Sequence, residues 1–264
     1  MPRVLLVWSG APAADSDALE QVLLRVSEMV CALPQLREMD INPLIVDEDG
    51  VVAVDARIVV APTPAGSGHS GPGGSYPHLA ILPYPASQSR EWPLQGGTLA
   101  LLRPIRPDDA EMLQALVRGL SQESRYFRFA SSMPELPARM LARYTLIDYD
   151  REMALVAVVK TRHTDADGHS SETERIVGVS RYITNPDGTS AEFSLVVADD
   201  FAGQGLGARL MLEIVELARA KGLARIMGLI LAHNTPMLRL MGRLDFTMSS
   251  FPEDPDFKLA TKLL

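Results

Sequence analysis

A single cysteine, Cys31, among 264 residues excludes an internal disulfide and any zinc site built on several thiolates. Its apolar neighbours Val26, Val30 and Leu33 predict a buried, structural thiol. Positive charge is also short. The 33 carboxylates outnumber 25 lysines and arginines, and the net charge of -8 argues against a nucleic-acid partner. No apolar run approaches the roughly 18 residues that a membrane helix needs, and no basic, apolar leader opens the sequence. There is no internal repeat and no G-K-[ST] phosphate loop. What is present is apolar content of 47%, enough for one large or two small cored domains. The expectation is a soluble, cytoplasmic protein.

Residues 61–97 hold seven prolines and seven glycines with little periodic pattern, and they read as a linker. The piece before it, 1–60, reads as a strand (Arg3–Trp8), a helix and a hairpin. The helix carries Leu19, Val22, Leu23, Val26, Val30 and Leu33 on one stripe and is capped by Asp15 or Ser16. Leu36–Val46 and Val51–Ala56 form the hairpin around Asp47-Glu48-Asp49-Gly50. The piece after the linker, 98–264, mixes both element types. A strand at 98–105 precedes helices from Pro107 to Gly119 and at 122–129 and 135–148. Three consecutive antiparallel strands follow at 153–160, 175–182 and 190–197, with 161–174 and 185–188 as turns. Helix 205–221, strand 225–231, a helix opened by Asn234 and two short strands complete it. The fold class is mixed α+β.

Chemistry concentrates in 190–209. Ser190–Val197 reads as a strand, and Gly203, Gly205 and Gly207 then keep side chains out of a tight turn. Leu206, Leu210, Met211, Ile214 and Leu217 follow at helical spacing. Backbone N–H groups at the positive end of a helix suit phosphate oxygens. On the strand, Glu192 is in phase with Ser194 and Val196, opposite the face of Ala191, Phe193, Leu195 and Val197. A carboxylate among apolar neighbours in mid-sheet is costly without a purpose, and burial would raise its pKa toward that of a general base. Asp199 and Asp200 end the strand or shape the turn.

The element order and the turn Ala202-Gly203-Gln204-Gly205-Leu206-Gly207 resemble the GNAT N-acetyltransferase superfamily over residues 98–264. The resemblance implies a splayed, mostly antiparallel sheet flanked by helices, and acetyl-CoA as cosubstrate with no metal required. It implies that Ala202, Gly203, Gln204, Gly205, Leu206, Gly207 and Ala208 wrap the pyrophosphate, with Ala202 standing where the family has Arg or Gln. It further implies that Leu195, Val196 and Val197 pair with the pantetheine arm, that Asn234 contacts the same arm, and that Glu192 is the general base. Many relatives carry a tyrosine in the helix after the asparagine. Met241 holds that stretch here, so no general acid is assigned.

Asp40–Val46 and Val51–Ala56 resemble the end of the ATP-grasp domain of ADP-forming acyl-CoA synthetases. If 47–50 is the turn, Asn42 lies opposite Asp55, positions that the family uses to ligate Mg²⁺. Most of that domain has no counterpart here, so Asn42 and Asp55 read as vestigial metal candidates. A synthetase tail, then Tyr76–Pro85, then a GNAT domain resembles the C-terminal part of bacterial Pat-type protein lysine acetyltransferases. The function this implies is acetyl transfer to protein lysines, with acyl-CoA synthetases as typical targets and neither nucleic acid nor membrane as partner. The alternatives are a small-amine acetyltransferase and a non-catalytic acyl-CoA-binding fragment.

Overall fold

The computed structural model describes residues 13–62, 79, 82–94, 97–131, 133–164 and 170–264. The strand expected at Arg3–Trp8 and residues 63–78 of the expected linker lie outside them. The chain divides into two compact units, Met1–Pro83 and Tyr84–Leu264. Among the described residues no helix is long and apolar enough to cross a membrane.

In the first unit, helix α1 (Ser16–Ala32) is capped by Asp15, whose carboxylate accepts from the Ala18 N–H at 2.9 Å. Strands β1 (Leu36–Ile41), β2 (Leu44–Asp47), β3 (Gly50–Ala53) and β4 (Ala56–Val60) follow. The expected two-strand hairpin is instead two short ladders, β2–β3 and β1–β4, because Pro43 has no N–H to give. The register nevertheless carries through. Val46 faces Val51, and the Asn42 N–H donates to the Asp55 carbonyl at 3.1 Å, which sets those two residues opposite each other. One helix over two narrow ladders buries little. Leu23 and Leu33, expected on the buried stripe, are exposed, and Cys31 is half-buried rather than buried.

In the second unit, β5 (Arg90–Pro93) and β6 (Leu99–Pro104) precede α2 (Ala110–Gly119), α3 (Gln122–Phe129) and α4 (Ala138–Thr145). Then come β7 (Glu152–Thr164), β8 (Ser170–Thr184), β9 (Ser190–Val197), α5 (Leu206–Ala220) and β10 (Arg225–Leu231). Helix α6 (Thr235–Arg243) and strands β11 (Thr247–Ser250) and β12 (Phe257–Leu263) close the chain. The strands make one sheet in the order β11-β12-β10-β9-β8-β7-β6-β5, antiparallel at every pair except β9–β10.

The last part of the expected linker belongs to this unit, since β5 pairs with β6 and Trp92 packs on the core. The polar segment 161–174 is no simple turn, because β7 runs to Thr164 and β8 begins at Ser170.

Helix α5 covers one face of the sheet. Its Leu206, Leu210, Met211 and Ile214 are fully buried, and the Ser180 hydroxyl donates to the Leu210 carbonyl at 3.0 Å. Each such aliphatic side chain contributes roughly 1.5–3 kcal/mol. Helices α2, α3 and α4 lie on the other face. There Arg103 and Asp109 form a buried bidentate pair at 2.6 and 2.7 Å, and Asp109 also accepts the Arg106 N–H. That pair fixes the entry into α2 on the end of β6.

Candidate active site

Strands β9 and β10 pair over only three residues, Ser190–Glu192 against Arg225–Met227. Beyond them the edge of β9 that faces β10 has no strand partner among the described residues, so its backbone polar groups are open to a ligand. The parting opens a cavity of about 880 Å³, within the roughly 300–1,000 Å³ usual for small-molecule sites.

At the C-terminal end of β9 the chain turns through Asp199–Phe201 into the glycine segment. Gly203 and Gly205 hold φ at +74° and +83°, a left-handed backbone that side-chain-bearing residues adopt only at a cost. This brings the first, unpaired N–H groups of α5 onto the cavity wall. The aspartates before the turn are structural. Asp199 accepts from the Ser121 N–H at 2.6 Å and the Ser124 hydroxyl at 2.5 Å, holding the start of α3. Asp200 is paired bidentately with Arg175 at 2.7 and 2.9 Å, and that hydrogen-bonded guanidinium draws its carboxyl below the usual range.

Of the residues expected at the cofactor, Leu195, Val196, Val197, Ala202, Gly203, Gly205, Gly207, Ala208 and Asn234 all line the cavity. Two expected ones do not. The Gln204 amide turns back to donate to the Asp200 carbonyl at 2.9 Å, and Leu206 points into the core. Asn234 caps α6, its side-chain oxygen accepting from the Met237 N–H at 3.1 Å. Met241 is in the core. Among the described residues no tyrosine, histidine or cysteine lines the cavity.

Glu192 lies at the last paired position of β9 and lines the same cavity. It is exposed, which corrects the expectation of a carboxylate enclosed in mid-sheet. The pleat expected for β9 is observed. Leu195 and Val197 lie within 3.6 Å of where a side chain on Gly207 of α5 would begin, while Ser194, in phase with Glu192, meets α3 on the other face.

That meeting involves a residue that sequence reasoning missed. Arg128, in the last turn of α3, lines the cavity and donates to the Ser194 hydroxyl at 3.0 Å. Its guanidinium carbon lies 5.0 Å from the centre of the Phe129 ring and 5.9 Å from that of Tyr144. Burial pulls its pKa below the ordinary arginine value, against the opposing influence of Tyr144 and Glu192. Behind it, Arg181 stands opposite Ser194 in the ladder, stacks on Tyr144 at 4.7 Å and pairs with buried Glu152 at 3.4 Å. Burial brings Arg181 down to about 10, with Glu152 opposing. Arg143 is a second partner of Glu152. Nothing local in the sequence could reveal this cluster, since Arg128 and Ser194 are 66 residues apart.

Residues 126–246 match the acetyltransferase (GNAT) family, and residues 1–60 match the ATP-grasp domain. An acetyltransferase of Pseudomonas aeruginosa is 32% identical over 161 residues, covering 61% of this chain and 82% of the relative. The chain belongs to the GNAT acetyltransferase family. A second relative, the acetyltransferase Pat of Mycolicibacterium smegmatis, is 27% identical over 92% of this chain and 74% of its own length. The crystal structure of the GNAT domain of the S. lividans protein PAT superposes with a TM-score of 0.59 at 25% identity. It covers 69% of this chain and all of that domain. The parted strands and the glycine turn lie within the span matched to the GNAT family, and the ATP-grasp match precedes it in the chain.

Proposed function

We propose that this GNAT protein transfers acetyl from acetyl-CoA directly to lysine side chains of proteins, with Glu192 as general base. The observation that carries the reading is the continuity of one cavity along β9, from exposed Glu192 at one end to the glycine turn at the other. The turn's N–H groups would hold the pyrophosphate, the unpaired edge at Leu195–Val197 the pantetheine arm, and the mouth at Glu192 would admit a side chain. The alignment with Pat over most of the chain supports a protein acceptor.

A lysine ammonium has a pKa near 10.4 and must lose a proton before it can attack. Glu192 accepts that proton, directly or through a water, while the amine nitrogen bonds to the thioester carbonyl carbon. The carbon–sulfur bond then breaks, and the departing CoA sulfur takes the second proton from the nitrogen and leaves as the thiol. The exposed Glu192 side chain can meet an incoming ammonium, and the acetylated amide leaves uncharged.

Glu192→Gln preserves the shape of the strand and removes the base. The expected result is turnover lower by about 10²–10⁴-fold with acetyl-CoA affinity unchanged, measured by acetyl transfer to lysine peptides and by calorimetric titration. Turnover within threefold of the parent would remove Glu192 from the mechanism. Turnover on polyamines or aminoglycosides but on no lysine peptide would replace the acceptor class.

A further inference from the structure

Arg128 is a half-buried guanidinium on the wall of a cavity, with no carboxylate within 4 Å among the described residues. Charges in such places are normally paired. A neutral serine hydroxyl and two aromatic faces compensate it only in part. Its surroundings add to the imbalance. Arg128, Arg143 and Arg181 share the cluster with the carboxylates Glu152 and Glu192, and both lobes of Glu152 are already taken by Arg143 and Arg181. One positive charge is left over, and it faces the cavity in a protein whose overall charge is negative.

An unpaired cation beside the base is an unexpected feature for an enzyme whose acceptor is itself a cation. The phosphates of acetyl-CoA do not explain it. Ser194, which Arg128 touches, lies three residues before Val197, about 10 Å along the strand from where the chain turns toward the glycines. The remaining source of negative charge at this end of the cavity is the acceptor.

We propose that Arg128 is a specificity-determining residue that receives a carboxylate of the acceptor, selecting lysines that have an aspartate or glutamate within two residues. This rests on the lysine-acceptor reading above. The planar guanidinium offers two parallel N–H donors to such a carboxylate. Glu192 then meets the ammonium and Arg128 the neighbouring acid, so the acceptor is held at two points of opposite charge. The leftover charge of the cluster is neutralised only while an acceptor is bound.

The test uses the full chain, acetyl-CoA and lysine peptides that differ only by glutamate or glutamine at each position within two residues of the lysine. The expected result is a kcat/KM about tenfold higher with glutamate at one or more of those positions, the value of one charge-assisted hydrogen bond. In Arg128→Met that ratio falls to about one whatever the variant's absolute rate, and in Arg128→Lys, which keeps the charge but not the two-donor fork, it falls to an intermediate value. A merely structural role would lower both peptides of a pair alike and leave the ratio intact, and that result overturns the inference. Equal rates for every pair in the parent protein also overturn it without recourse to any variant. If the parent acetylates none of the peptides, the lysine reading itself falls, and this inference with it.

Discussion

At Gly205 the backbone stands at φ +83° and the Trp92 ring lies 3.9 Å from where a side chain would begin. Both facts bear on a single substitution. An alanine there faces roughly 1–2 kcal/mol of left-handed strain, and the turn relaxes by swinging its N–H groups off the cavity wall. Gly205→Ala is therefore expected to weaken acetyl-CoA binding by about tenfold or more, read by calorimetric titration, with only a modest fall in thermal stability. Unchanged affinity would show that the turn's geometry does not set the phosphate site. The three glycines, Glu192 and Asn234 are legible as letters of a motif because their spacing is local. Arg128 is not, because its meaning comes from a helix and a strand brought together across 66 residues. The exposure of Glu192 is hidden for a related reason. Alternation along one strand shows which residues share a face but not whether a neighbouring strand has parted to open that face.

Strands β9 and β10 end where their β-branched and aromatic runs end, and sequence alone places them to the residue. Strand β5 is different. Its four residues lie in a stretch that composition marks as linker, yet they close one edge of the sheet against β6. Arg90 of β5 pairs at 2.8 Å with Glu213, a largely buried carboxylate of α5 that Arg209 also holds at 2.7 Å. Trp92, beside it, reaches the glycine turn. The strand thus ties the sheet edge to the helix whose N-terminus is proposed to hold the phosphates. Pro and Gly density conceals such a strand because four residues are too few to show a period. Likewise the polar arms of the β7–β8 hairpin lack the apolar alternation that would announce them. Trp92→Ala removes a half-buried aromatic from both contacts. The expected cost is about 2 kcal/mol, below the 3–5 kcal/mol of a fully enclosed tryptophan, or a melting temperature lower by about 4–8 °C. Acetyl-CoA affinity should fall with it. A lower melting temperature with unchanged affinity would mean that β5 braces the fold and not the turn.

Every fully buried residue among those described belongs to the second unit, so cooperative unfolding reports on that unit alone. Its stability is bounded in pH from both sides by groups away from the cavity. Asp187 accepts the Ser190 hydroxyl and the Thr189 and Ser190 N–H groups, and these hold its carboxyl down at about 2. A depressed folded-state pKa contributes stability that is complete above the unfolded value near 3.9 and disappears as pH falls through about 2. Tyr149 and Tyr182 shift the other way. Burial pushes both phenols up to about 12. At pH above their unfolded value near 10 the unfolded chain releases protons that the folded one keeps, so stability is complete below pH 10 and is lost up to about 12. The urea midpoint should therefore form a plateau between about pH 4 and 10 and fall on either side. Asp187→Asn should make the acid limb shallower, since Asp200 still titrates there, and leave the alkaline limb unchanged. Tyr182→Phe, which keeps the buried ring and removes one of the two titrating hydroxyls, should make the alkaline limb shallower and leave the acid limb unchanged. A Tyr182→Phe protein that keeps the parent's alkaline slope would show that the phenol is hydrated in solution and that this part of the sheet opens more readily than its burial implies.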